Sequence, residues 1–257
     1  MNRIEKLFKT KKKNILSIYF TAGYPELNHT LSIIRELDKS GVDMIEIGMP
    51  FSDPVADGPV IQRSSEKALH NGISLNLLFK QLARVREITD LPLIFMGYIN
   101  PVFKFGVENF LHKCSETGID GTIIPDLPVE EYRKSYEPLY EKYNILNIFL
   151  ISPQTPNERI TYIDSIAKGF IYMVSTTATT GATNNFDDSQ MTYFKKISDL
   201  NLKTSRLIGF GISNKVTFNQ ACGYSNGAII GSAFIRSLDE NGPLPEIIHG
   251  FVGKIRD

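Results

Sequence analysis

The 257-residue chain has only two cysteines, Cys114 and Cys222, far apart and with no partner spacing. That excludes a disulfide framework and a cysteine-based zinc site, and it predicts free thiols in a reducing compartment. There is no excess of either charge: Lys plus Arg is 28 and Asp plus Glu is 28. Nucleic-acid and membrane-surface proteins usually need a basic surplus, so neither partner is expected. No apolar run approaches the ~20 residues that cross a bilayer. The segment from Met1 to Asn14 has no apolar core of the kind a signal peptide carries. These absences predict a soluble, cytoplasmic protein. No Pro-, Gly- or Ser-rich linker and no low-complexity tract divides the chain, so one domain is expected over residues 1–257. The four histidines (His29, His70, His112 and His249) form no metal pair. No His-x-x-x-His, phosphate-loop or Gly-x-Ser-x-Gly motif occurs.

What is present is a recurring set of short apolar runs. They are Ile15–Phe20, Met44–Ile47, Leu91–Met96, Thr122–Ile124, Ile145–Ile151, Phe170–Val174, Leu207–Ile208 and Ala228–Ile230. Most are continuous in Ile, Val, Leu and Phe and do not alternate, as in strands buried on both faces. Helical periodicity lies between them. Leu31, Ile34 and Leu37 share one face, Leu78, Leu82 and Val85 follow Ser74 as N-cap, and Ile160, Ile163 and Ile166 follow Pro156. Ser213 is a candidate cap for a helix to about Gly223, and Gly242-Pro243 announces a last helix through Ile255. An amphipathic piece with Ile4, Leu7 and Phe8 precedes the first strand. Eight strand–helix units predict an α/β fold, a single-domain (β/α)8 barrel with an extra N-terminal helix, with a doubly wound open sheet as the alternative. Two long connections, from Gly48 to about Ser64 and from Ser175 to about Phe186, follow strand C-termini, where barrels of this kind place their active sites.

Several residues in these places can carry chemistry. Glu46 lies inside the apolar run Met44-Ile-Glu-Ile-Gly48, where an ionised carboxylate is costly, so it reads as an acid/base of raised pKa at the barrel mouth. The following loop holds Asp53 and Asp57, either of which could face Glu46; spacing does not choose between them. Gly209-Phe210-Gly211 follows the seventh strand, and Gly231-Ser232 follows the eighth. Loops there frequently bind phosphate through backbone N–H groups. The polar stretch Thr176–Thr183 is a candidate lid, and Tyr172 lies in the strand before it.

The segment Glu46-Ile-Gly-Met-Pro-Phe-Ser-Asp-Pro-Val-Ala-Asp-Gly-Pro-Val-Ile-Gln62 closely resembles the signature of the tryptophan synthase alpha chain family. The resemblance runs over essentially the whole chain. It includes Tyr19-Phe-Thr-Ala-Gly-Tyr-Pro25, Met96-Gly-Tyr-Ile-Asn-Pro101, Pro125-Asp-Leu-Pro128, Tyr172 with Ser175, and Thr180-Gly-Ala182. It implies a (β/α)8 barrel and a lyase, classed with the carbon–oxygen lyases, that cleaves indole-3-glycerol phosphate to indole and glyceraldehyde 3-phosphate. By the same resemblance Glu46 is the acid/base and Asp57 the second catalytic carboxylate. Tyr172 would stand beside the bond that breaks. Thr180, Gly181, Gly209, Phe210, Gly211, Gly231 and Ser232 would surround the phosphate end, and Tyr19, Tyr98 and Ile124 would line the indole pocket. No cofactor is implied in this chain. A beta chain carrying pyridoxal phosphate is the implied partner, in an α2β2 tetramer, with Pro128 and the residues around Asn100 toward it. Loops 51–59 and 176–185 would be mobile in the isolated chain. One departure concerns the lid, where the family commonly has glycine before Val-Thr-Gly and this chain has Ala178. Alanine resists positive φ, which would weaken closure by on the order of 1 kcal/mol if the closed lid needs it. The alternatives are another phosphate-binding barrel enzyme and a catalytically idle regulatory subunit.

Overall fold

A computed structural model describes residues 1–175 and 185–256. Its strands are β1 (Ile15–Thr21), β2 (Met44–Gly48), β3 (Leu93–Met96), β4 (Gly121–Ile123), β5 (Leu146–Ile151), β6 (Phe170–Val174), β7 (Ser205–Gly209) and β8 (Gly227–Ile230). Each pairs in parallel with the next, and β8 pairs with β1, so the sheet closes into a barrel and the open-sheet alternative is excluded. All seven residues of β1 and all five of β2 are buried, which is why their sequences are continuous and do not alternate. Register sets the interior. Tyr19 lies beside Glu46, Glu46 beside Ile94, and Tyr172 between Leu150 and Leu207. Laterally paired residues of a parallel sheet share a face, so the polar residues of β1, β2 and β6 gather inside the barrel.

The amphipathic start forms a helix, Arg3–Thr10, closed by a capping box in which the Asn2 side chain accepts from the Ile4 N–H and the Glu5 carboxylate accepts from the Asn2 N–H. Its apolar face closes the end of the barrel where the strands begin. Ile4 is fully buried and the Phe8 ring stacks on Phe170 at 5.4 Å. The Asn2 amide donates to the carbonyls of Asp120 (2.8 Å) and Asn144 (2.9 Å). The buried Asp120 carboxylate accepts from Arg3 (3.1 Å), Arg86 (2.7 Å) and the Leu93 N–H (2.9 Å), tying this helix to the start of β3.

The helices foreseen around Leu31, Leu78, Ile160 and Ile248 occur as Thr30–Lys39, Leu75–Leu82, Asn157–Ile166 and Leu244–Arg256. Val85 is buried in a short 3-10 turn beyond the second of these. Strand ends shift by one or two residues, and two helix starts differ from the sequence reading. The cap before Lys215–Tyr224 is Asn214, not Ser213, because the Asn214 side chain accepts from the Thr217 N–H at 2.9 Å. The connection after β2 ends at Gly58, not near Ser64, because Pro59, whose fixed φ suits a first helical turn, opens the helix Pro59–His70.

Asp120→Ala is expected to lower the unfolding free energy by about 3 kcal/mol, because it strips a buried carboxylate from two guanidiniums and a backbone donor. Urea denaturation with an unchanged m-value measures it; a loss within about 0.5 kcal/mol would show that this network adds nothing net.

Candidate active site

Glu46 is the third residue of β2, and no part of it is exposed. Its Oε1 accepts a hydrogen bond from the Ser17 hydroxyl on β1 at 2.9 Å. Its Oε2 is buried with no hydrogen-bond partner. Burial pushes its pKa up to about 8, against a smaller pull downward from the Ser17 bond. At neutral pH it is mainly a protonated acid.

Asp57 lies on the loop that leaves β2. The turn after Pro54 carries it, closed by the Asp57 N–H to the Pro54 carbonyl at 3.0 Å. The Gln62 side chain, one helical turn on, donates to the Asp57 carbonyl at 2.9 Å. The Tyr98 hydroxyl, just past β3, accepts from the Ala56 N–H at 2.9 Å and donates to Asp57 Oδ2 at 3.1 Å. Burial raises the Asp57 pKa to about 6, the Tyr98 bond holding it from rising further. Asp57 is therefore mostly ionised at neutral pH. Asp53 is exposed, and the bond recorded to its side chain comes from the neighbouring Ser52. Of the two aspartates that spacing left open, Asp57 is the one that is partly buried and held by a tyrosine hydroxyl.

Beside Asp57 lies a small cavity lined by Tyr19, Phe51, Asp57, Met96, Tyr98 and Pro125; Tyr19 pairs with Glu46 across the strands. The rings of Phe51 and Tyr98 are 5.4 Å apart. Ile124 is buried, immediately before the lining residue Pro125. Tyr172 is buried, and its acidity is suppressed first by burial and then by the charges of Glu46 and Asp57, so all three lie within electrostatic reach. Two glycines make room for the tyrosines. A Cβ on Gly48 would overlap the Tyr19 hydroxyl, and one on Gly209 would overlap the Tyr172 hydroxyl. Gly209 therefore serves the packing of an aromatic ring as well as a turn.

Beyond Gly209 the chain turns sharply. Phe210 has φ 30° and Gly211 φ 68°, the former uncommon for a bulky residue. Ser175, at the end of β6, holds this turn by donating its N–H to the Gly209 carbonyl (3.2 Å) and its hydroxyl to the Phe210 carbonyl (2.5 Å). Gly231 and Ser232, both partly exposed, open the short helix Ser232–Ser237 after β8, with no side-chain cap on its first N–H groups. The exits of β6, β7 and β8 are thus adjacent, with backbone that can face an anion. Thr180, Gly181 and Ala178 of the foreseen lid lie outside the described residues.

Ser17 was not among the residues singled out from the sequence. Its signal was there: a hydroxyl inside the apolar run Ile15–Phe20 needs a partner when buried. Among the described residues no cluster of three or more His, Cys, Asp or Glu side chains could hold a metal ion.

A closed (β/α)8 barrel that buries one carboxylate within β2 and holds a second on the loop after it, both raised by burial, has the form of an acid–base barrel protein. Residues 6–248 match the family model described as tryptophan synthase alpha chain, and the chain belongs to that family. It is 60% identical over 242 residues to the tryptophan synthase alpha chain of Flavobacterium psychrophilum, covering 94% of this chain and 95% of that one. With the alpha chain of Flavobacterium johnsoniae it shares 58% identity over 256 residues, the full length of both. Among solved structures, the tryptophan synthase subunit alpha of Legionella pneumophila superposes with a TM-score of 0.89 at 32% identity, covering 100% of this chain and 97% of that one.

Tyr98→Phe removes the hydroxyl that stabilises ionised Asp57. The Asp57 carboxyl, followed by 13C NMR titration, is expected to titrate at higher pH than the wild-type value of about 6. An unmoved midpoint would show that the Tyr98 bond does not hold the charge.

Proposed function

We propose that Glu46 and Asp57 carry out the alpha-chain reaction, the retro-aldol cleavage of indole-3-glycerol phosphate to indole and glyceraldehyde 3-phosphate. The observation that carries this reading is the unequal setting of the two carboxylates: Glu46 is fully buried, with its pKa pushed up to about 8, and Asp57 is partly exposed and bonded to Tyr98, with its pKa pushed only to about 6. Such a split assigns an acid and an anion without any metal.

The chemistry requires both. Indole is a poor carbanion, so the carbon–carbon bond cannot simply break. Protonation of indole C3 by Glu46 turns the ring into an electron sink. The positive charge that reaches the ring nitrogen is met by Asp57, which accepts the N–H and lies where that charge develops. Glu46, now a carboxylate, takes the proton from the hydroxyl on the carbon attached to C3. That C–O becomes the aldehyde carbonyl, the carbon–carbon bond breaks, and its electron pair restores the aromatic ring. Glu46 ends protonated, as it began. The bond broken here is carbon–carbon; the carbon–oxygen lyase class fits the overall synthase reaction, in which serine loses its hydroxyl.

Tyr19, Tyr98 and Ile124 fit the walls of the indole pocket, and Tyr172 the place beside the scissile bond. Gly209, Phe210, Gly211, Gly231 and Ser232 would hold the phosphate, with Thr180 and Gly181 closing over it. The chain would work as one domain, in the cytoplasm, within an α2β2 tetramer. It needs no cofactor of its own, the beta chain supplying pyridoxal phosphate and consuming the indole. Family membership supports the beta partner. No helix among the described residues is long and apolar enough to cross a membrane.

The working form has Asp57 ionised and Glu46 protonated. kcat/KM for indole release should therefore rise through about pH 6 and fall through about pH 8. Glu46→Gln should lower kcat by roughly 10²–10⁴-fold with the fold intact. Indole release by that variant at the wild-type rate would remove this mechanism.

A further inference from the structure

The reading of Glu46 as the acid/base leaves its two oxygens unequal, and the inequality comes from one residue. Ser17 lies on β1 two positions before Tyr19, which pairs with Glu46 across the strands. Its hydroxyl donates to Glu46 Oε1 at 2.9 Å, and both residues are fully buried. Among the described residues nothing else bonds the carboxyl, since Oε2 is buried and unpartnered. The strands on either side of this pair offer no competing polar group at that level: Ile94 of β3 flanks Glu46 and Ile229 of β8 flanks Ser17.

We propose that Ser17 is a positioning residue for the acid/base. It anchors Oε1 of Glu46 and leaves Oε2 as the oxygen that carries the proton to and from the substrate. The assignment follows from hydrogen-bond inventory. A protonated carboxyl has one donor oxygen and one carbonyl-like acceptor, and a serine hydroxyl that donates to Oε1 fills the acceptor's role. The O–H of the acid then falls on Oε2, the oxygen with no protein partner to satisfy. A buried polar atom with nothing to bond is costly in a resting enzyme, and sites of chemistry are where such atoms are kept. After proton transfer the same Ser17 bond becomes charge-assisted and stabilises the carboxylate that must then take the hydroxyl proton. One hydroxyl thus orients the group in both halves of the cycle without touching substrate.

The bond also limits how basic Glu46 becomes, because a donor to the ionised form favours that form. The titratable groups in electrostatic contact with this pocket are Tyr19 from β1, Tyr172 from β6 and Asp57 from the loop after β2. Both tyrosines have their ionisation suppressed by burial, so they stay neutral through the working range and Asp57 is the charged neighbour.

This inference rests on Glu46 being the catalytic acid/base, and the test separates the two. Ser17→Ala, Ser17→Thr and Glu46→Gln are compared in the full chain with its beta partner. For Ser17→Ala the basic limb of kcat/KM should move up by about half to one pH unit, and kcat should fall about five- to tenfold. KM should barely change. Ser17→Thr, which keeps the hydroxyl on a strand that suits a β-branched residue, should restore both limb and rate. Urea unfolding of each variant checks that the barrel is retained. A 13C NMR titration of the Glu46 carboxyl reads the same displacement without turnover. An inactive Glu46→Gln together with a Ser17→Ala profile and Glu46 midpoint matching wild type would overturn the role of Ser17 alone. Wild-type indole release by Glu46→Gln would overturn both assignments. Equal losses in Ser17→Ala and Ser17→Thr, with an unmoved basic limb, would reduce Ser17 to a packing residue and overturn the proposal.

Discussion

A carboxyl group with no neutralising cation, fully inside an eight-stranded barrel, is the constraint on which the site depends. Burying Glu46 ionised would be prohibitive, so the barrel holds it as an acid among neutral side chains, Ser17, Tyr19 and Tyr172 with them. The cost has a definite sign. The folded-state pKa is raised from 4.5 to about 8, so the folded chain holds a proton that the unfolded chain releases. The stability contribution is whole below pH 4.5 and is lost progressively as pH rises toward 8, amounting to on the order of a few kcal/mol at the upper end. The protein thus keeps a buried acid at the expense of its own alkaline stability, a trade expected of active sites.

Asp57 gains its different state from a different kind of support. It sits on a turn instead of a strand and stays partly exposed, and it receives a tyrosine hydroxyl. Partial burial lifts its pKa less than full burial lifts that of Glu46. The two environments are linked through Tyr98, whose hydroxyl bridges the loop backbone at Ala56 and the Asp57 side chain. The loop's conformation and the charge it presents are therefore set by the same atom.

Much of this was legible in the chain. Eight continuous apolar runs located eight strands because a strand buried on both faces needs apolar residues at every position. Glu46 stood out for the same reason, as a charge where the pattern forbids one. The boundaries that moved did so through local competition. Asn214 outbid Ser213 as a cap because its side chain reaches the Thr217 N–H, and Pro59 started a helix inside a stretch that looks like loop. Ser17 stayed hidden because one small hydroxyl barely disturbs an apolar run; its meaning appears only when β1 and β2 are set in register. Spacing alone did not separate Asp57 from Asp53; the family resemblance pointed to Asp57, and its bond to Tyr98, 41 residues away in sequence, shows only in three dimensions.

The helix that closes the floor of the barrel has a consequence for the order in which the chain can be assembled. Asn2 is made long before its partners, since its amide bonds to carbonyls at Asp120 and Asn144, and Phe8 stacks on Phe170. During synthesis these contacts cannot all form until β6 exists. Until then the apolar face with Ile4 and Phe8 is not fully covered. Contacts of such long sequence separation form late and report that the sheet has curved far enough to close. The helix Arg3–Thr10 thus completes its docking only after the strands it closes have been made.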